Sequence, residues 1–77
     1  DTYAETRTHN GQKVEITIRV YDEPCVKNQE AEFYTHIDIT HHCKPWGSLF
    51  LPKPVEEKDF KQCIVDVYNH IEDFKLR

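Results

Sequence analysis

Glycine is scarce in this chain, with only Gly11 and Gly47 among 77 residues. Both fall where turns are expected, so neither is left to build a loop that cradles phosphate or an oxyanion. Long apolar runs are missing too. Stretches such as Leu49, Phe50 and Leu51 stop far short of the roughly 20 residues that cross a bilayer as a helix, and no secretory signal peptide is visible. Positive charge is in deficit: 10 Lys and Arg stand against 14 Asp and Glu, for a formal net charge of −4. That balance works against long-range attraction to a phosphate backbone or an anionic membrane. The three cysteines, Cys25, Cys43 and Cys63, cannot all pair within one chain. Their spacing fits neither a disulfide framework nor a paired zinc knuckle, so the expectation is free thiols in a reducing, cytoplasmic compartment.

What the chain does contain is one strong helical pattern at its C-terminal end. Phe60, Cys63, Ile64, Val67, Ile71 and Phe74 recur at three- and four-residue steps, with Tyr68 at the border, which predicts an amphipathic helix over residues 54–77. Pro54 suits the first helical position. Glu56 and Glu57 sit at the positive end of the helix dipole and Lys75 and Arg77 at the negative end, each worth roughly 0.3–1 kcal/mol. Burying one Phe or Ile contributes about 1.5–3 kcal/mol, so the apolar stripe, not the helix ends, holds this segment.

The preceding residues alternate with the period of strands. Asn10–Gly11 between two β-prone runs predicts a hairpin, with a polar, threonine-rich edge strand over residues 2–8. In the second strand Val14, Ile16, Ile18 and Val20 face inward while Glu15, Thr17, Arg19 and Tyr21 face out. Residues 22–30 read as a long exposed connection. A third strand over 31–42 places Ala31, Phe33, Thr35, Ile37 and Ile39 inward and Glu32, Tyr34, His36, Asp38 and Thr40 outward. Residues 44–47 read as a turn around Pro45, Trp46 and Gly47, and a short fourth strand covers 48–51, with Phe50 on the outer face. The expected fold is α+β, a four-stranded antiparallel meander with the C-terminal helix packed on one face, forming a single domain over 1–77 that buries about 60% of its unfolded surface.

Chemistry has few places to reside. On one strand face His36, Asp38 and His42 could share a metal such as zinc, and His41 with Cys43 could contribute from the other face. That spacing matches no named metal pattern, and histidines lying on a solvated surface are the alternative. Cys25, after Pro24, is a candidate for a cysteine–histidine pair, but no oxyanion turn accompanies it. Glu56–Glu57 and Glu72–Asp73 are neighbours on the helix and diverge, as on a solvated face. These grounds weigh against an enzyme, and a metal-binding protein or small enzyme built on His36, Asp38 and His42 is the alternative.

The uncovered sheet face is the better candidate. Tyr21, Tyr34 and Phe50 are expected there with Arg19, and Trp46 at the adjacent turn, an assembly of aromatic anchors among polar groups that fits a protein partner or a homodimer. The alternative is that cross-strand aromatic pairs only stabilise the sheet. The element order, four strands followed by a long C-terminal helix, resembles the single-strand-binding domains of transcriptional coactivators of the positive cofactor four type. That resemblance implies stacking of nucleic-acid bases on the aromatic face. Glu15, Glu32 and Asp38 set against Arg19 give the face the wrong sign for it. The acidic helix suggests the opposite role, occupation of a basic groove on a partner.

Overall fold

The computed structural model describes residues 1–27 and 31–74; for Lys27 and Ala31 it describes the backbone alone. Four strands, β1 (Thr2–His9), β2 (Gln12–Lys27), β3 (Ala31–His41) and β4 (Lys44–Leu51), form one antiparallel sheet in sequence order. A 3-10 turn at Glu57–Asp59 leads into helix α1 (Phe60–Asn69), and a second 3-10 turn, Ile71–Phe74, follows. The ββββα architecture expected from the pattern is therefore the one observed.

Alternation decides which side chains are buried. Val14, Ile16 and Ile18 of β2 and Ile37 and Ile39 of β3 are at most 1% exposed and face Phe60, Ile64, Val67 and Ile71. Residues directly opposite in an antiparallel ladder share a face, and the pairs Ile16–Ile39 and Ile18–Ile37 put the isoleucines in register under the helix. The Asn10–Gly11 turn has both residues at positive φ, 52° and 77°, as a two-residue hairpin requires. It fixes β1 so that Tyr3, Glu5, Arg7 and His9 lie half-buried on the helix side and Thr2, Ala4, Thr6 and Thr8 are exposed. Tyr3 stacks on Phe60 with ring centroids 5.5 Å apart.

Four sequence expectations change. Asp22 to Lys27, read as a connection, belongs to β2, where Cys25, Val26 and Lys27 pair with Phe33, Glu32 and Ala31. The expectation for residues 28–30 lies outside the described residues. The β3–β4 turn is His42–Cys43, at φ 51° and 63°, and not 44–47. Helix geometry starts at Glu57, since Glu56 is still extended at φ −74° and ψ 149°. It breaks at His70, which has φ −117° and ψ 24°. Residues 75–77 of the expected helix lie outside the described residues.

The fourth change concerns Trp46. Gly47 pairs with Ile39 and Pro45 with Thr40, so Trp46 is an extra residue in the β4 ladder. A bulge of this kind re-aims a side chain. Trp46 accordingly points under the helix, 6% exposed, and its Nε1 donates to the Ile71 carbonyl at 3.0 Å. Beside it the chain at Phe74 crosses so close to Gly47 that a Cβ there would stand 1.7 Å from the Phe74 carbonyl oxygen. At the opposite end of the helical segment the buried Thr35 hydroxyl ties down the proline-rich hinge, donating to the Lys53 carbonyl at 2.8 Å and accepting from Val55 N–H at 3.0 Å.

Two stability outcomes follow. Gly47→Ala is expected to lose about 3 kcal/mol, because the added methyl has no space and the displaced partner is backbone. A lowered urea midpoint at an unchanged slope measures it. Thr35→Val keeps the shape but strands one donor and one acceptor, for a loss of about 1–3 kcal/mol in the same assay.

Candidate aromatic interface

The face that the helix leaves open is not uniform. Its rows can be read straight from the strand register: Thr2, Arg19, His36 and Phe50 form one row across all four strands. The next row is Ala4, Thr17, Asp38 and Ser48, and the one after is Thr6, Glu15, Thr40 and Pro45. Lys13, opposite Thr8, joins the same face. Two acids and two bases, Glu15 and Asp38 against Lys13 and Arg19, therefore share the four-stranded part of this surface, which is less acidic than the sequence reading expected.

The aromatic side chains gather at one end. His36 and Phe50 stack in parallel with centroids 4.5 Å apart, and Phe33 meets the edge of Phe50 at 4.7 Å and of His36 at 6.4 Å. Tyr21 meets Phe33 at 6.1 Å and is 37% exposed. These offset and edge-on arrangements suit the negative faces and positive edges of aromatic rings.

Phe33 was expected inward, and a bulge explains its position among outward rings. Between the pairs Val20–Thr35 and Cys25–Phe33, β2 carries Tyr21, Asp22, Glu23 and Pro24 where β3 carries only Tyr34. Such an insertion breaks the two-residue alternation and bends the ribbon, and Pro24, lacking an N–H, is tolerated there. Beyond the bulge the β2–β3 ribbon extends past the ends of both edge strands, since β1 and β4 reach only as far as Arg19 and Thr35 in their registers. Val26, on this ribbon, is 59% exposed.

Of the expected anchors, Tyr21 and Phe50 each meet Phe33 and so join one cluster, and Arg19 lies beside His36. Tyr34 is half-buried at the bulge and is not among the rings in contact. Trp46 is removed from this face: it lies on the opposite side of the sheet, in the core. Phe33 and His36, which the sequence reading did not count as anchors, complete the group. The cue for His36 was its parity with Phe50 on neighbouring strands, whereas Phe33 had none short of the bulge.

His36, Asp38 and His42 are not assembled as a ligand set. His36 is engaged in the stack and His42 occupies the tight turn, and among the described residues no three of His, Cys, Asp and Glu form a group that could hold a metal ion. On the helix side Trp46 lies between two histidines, His9 at 6.0 Å and His41 at 6.1 Å, both edge-on. His9 Nε2 lies 2.5 Å from Glu72 Oε1, which links β1 to the last turn of the chain described. This second cluster closes one end of the core.

The cysteines are unpaired. Cys25 points its thiol at the Glu23 carbonyl, 3.9 Å away on its own strand. Cys63 lines a cleft between α1 and the 53–56 segment, beside Asp59 and Asp66. Burial and, secondly, the Asp66 carboxylate push its thiol above the usual range. The thiolate is the reactive form. In timed labelling with a thiol-specific disulfide reagent at pH 8, exposed Cys43 is therefore expected to react first and Cys63 last, so that Cys43→Ser removes the fast phase.

No helix among the described residues is long and apolar enough to cross a membrane. Comparison with known proteins finds no matching family model, no matching curated protein and no matching solved structure.

Proposed function

We propose that this chain is a small, non-enzymatic interaction module, acting in the cytoplasm, that binds a protein partner through the aromatic end of its open sheet face. The observation that carries this reading is the cluster of Tyr21, Phe33, His36 and Phe50, only partly buried and on the side opposite the helix. A fold that needed these rings for its own core would cover them. Here the core is complete without them on the other face.

The chemistry of the patch favours a protein over other ligands. Tyr and Phe offer large rigid surfaces at low entropic cost, and Arg19 beside them supplies a charged donor at the edge. The mixed charges of Lys13, Glu15, Arg19 and Asp38 provide polar surroundings that could fix orientation, while lacking the single positive sign that a nucleic-acid strand demands.

A photoreactive phenylalanine derivative introduced at Tyr21 in cells is expected to cross-link one partner in high yield, whereas the same residue placed at Val65 on the outer surface of α1 is not. With that partner purified, Phe50→Ala is expected to weaken binding ten- to a hundredfold, equivalent to about 1.4–2.8 kcal/mol, with the circular dichroism spectrum retained. Capture only from Val65, or unchanged affinity in Phe50→Ala, would overturn the reading.

A further inference from the structure

The two edges of the sheet are finished differently. On β4 the ladder is interrupted at Trp46, Pro45 lacks a backbone donor, and Pro52 follows the strand at once. Bulges and prolines of this kind protect an edge from pairing with other chains. β1 contains no proline, and its ladder with β2 runs unbroken from Thr2–Arg19 to His9–Gln12.

The direction of its backbone groups can be worked out. Asp1 and Val20 exchange both backbone bonds, at 2.8 and 2.9 Å. In an antiparallel ladder such pairs alternate with pairs that do not bond each other, so Tyr3, Glu5, Arg7 and His9 bond β2. The N–H and C=O groups of Thr2, Ala4, Thr6 and Thr8 then point away from the sheet. Among the described residues, Tyr68 reaches one of them, its hydroxyl donating to the Thr8 carbonyl. That oxygen keeps a second lone pair.

We propose that β1 pairs antiparallel with β1 of a second copy of this chain, about a two-fold axis through Thr6, joining two sheets edge to edge. The charges on β1 select this register. Outward-pointing residues must meet outward-pointing residues, which allows axes through Tyr3, Ala4, Glu5, Thr6 or Arg7. Axes at Tyr3 and Arg7 set Asp1 against Glu5 and Arg7 against its own copy, respectively, both repulsive. An axis at Glu5 sets Glu5 against its own copy, a repulsive arrangement. An axis at Ala4 sets Arg7 against Asp1, which precedes the strand, and wastes the centre on an Ala–Ala pair. The axis at Thr6 sets Glu5 of each copy against Arg7 of the other and places two threonines at the centre, both favourable cross-strand pairs. Glu5 and Arg7 are already aligned on one face, 2.8 Å apart within the chain, so in the dimer four alternating charges come together. The same axis directs Ala4 N–H at the remaining lone pair of Thr8.

This surface is separate from the aromatic face, and the test separates the two. Sedimentation velocity up to about 1 mM, the weak end of specific association, is expected to show a concentration-dependent dimer. Thr6→Pro deletes an N–H that points away from β2 and bonds none of the described residues, and it is expected to yield a folded monomer. Glu5→Arg and Arg7→Glu are each expected to be monomeric, while their equimolar mixture regains opposite signs at both contacts and dimerises. Phe50→Ala should leave the dimer intact. A monomeric wild-type chain, a dimer that persists in Thr6→Pro, a mixture that stays monomeric, or a dimer lost in Phe50→Ala would each overturn the edge pairing.

Discussion

Everything in this structure depends on the seating of one apolar helix stripe against the isoleucines of the two central strands. Val14, Ile16, Ile18, Ile37 and Ile39 meet Phe60, Ile64, Val67 and Ile71 with almost no solvent left between them. Each such side chain contributes about 1.5–3 kcal/mol on burial, against backbone ordering costs of roughly 1–2 kcal/mol per residue. A domain this short can build one such contact and not two. One sheet face is therefore spent on stability, and the other is released from it.

How the helix is held shows a second constraint. Its stripe fixes which side faces the sheet, but its ends are fixed by polar groups that the strands supply. At the hinge, one threonine hydroxyl serves both a carbonyl and an amide. At the far end, the indole of Trp46 satisfies the Ile71 carbonyl, and the absence of a side chain at Gly47 lets the last turn lie directly on β4. Helix termini leave carbonyls without intrahelical partners, and a core tryptophan whose N–H also needs a partner meets both demands in one bond. The break at His70 lies between the regular helix and the turn that makes these contacts.

Freed from core packing, the open face is organised by strand register and by one insertion. Register gathers Arg19, His36 and Phe50 into a row, alternation places Tyr21 on the same face, and the bulge at Tyr21 to Pro24 adds Phe33. The result is an aromatic end next to a polar remainder of threonines and balanced charges. Such segregation concentrates the aromatic part of the surface at the base of the projecting ribbon. The threonine-rich edge of β1 is a distinct feature, defined by backbone groups and not by rings.

Much of this was legible in the order of residues. The helix stripe, the inward isoleucines and the outward His36 and Phe50 follow from periods of 3.6 and 2, which backbone geometry sets, and the Asn10–Gly11 hairpin follows from turn residues that tolerate positive φ. Where alternation continued unbroken, the faces were right. Where a strand gained residues relative to its neighbour, they were wrong, since a bulge is a relation between two strands and leaves no mark in either one read singly.

That is the division between what the chain states by itself and what its folding settled. The sequence determined the elements, their order, the single apolar side of the helix and therefore the existence of an uncovered sheet face. Only the tertiary structure decided that Trp46 belongs to the core, that Phe33 belongs with Tyr21 and Phe50, and that the turn falls at His42 and Cys43. Each of these depends on hydrogen-bond register between segments distant in sequence, and register is chosen by the packing of the whole sheet.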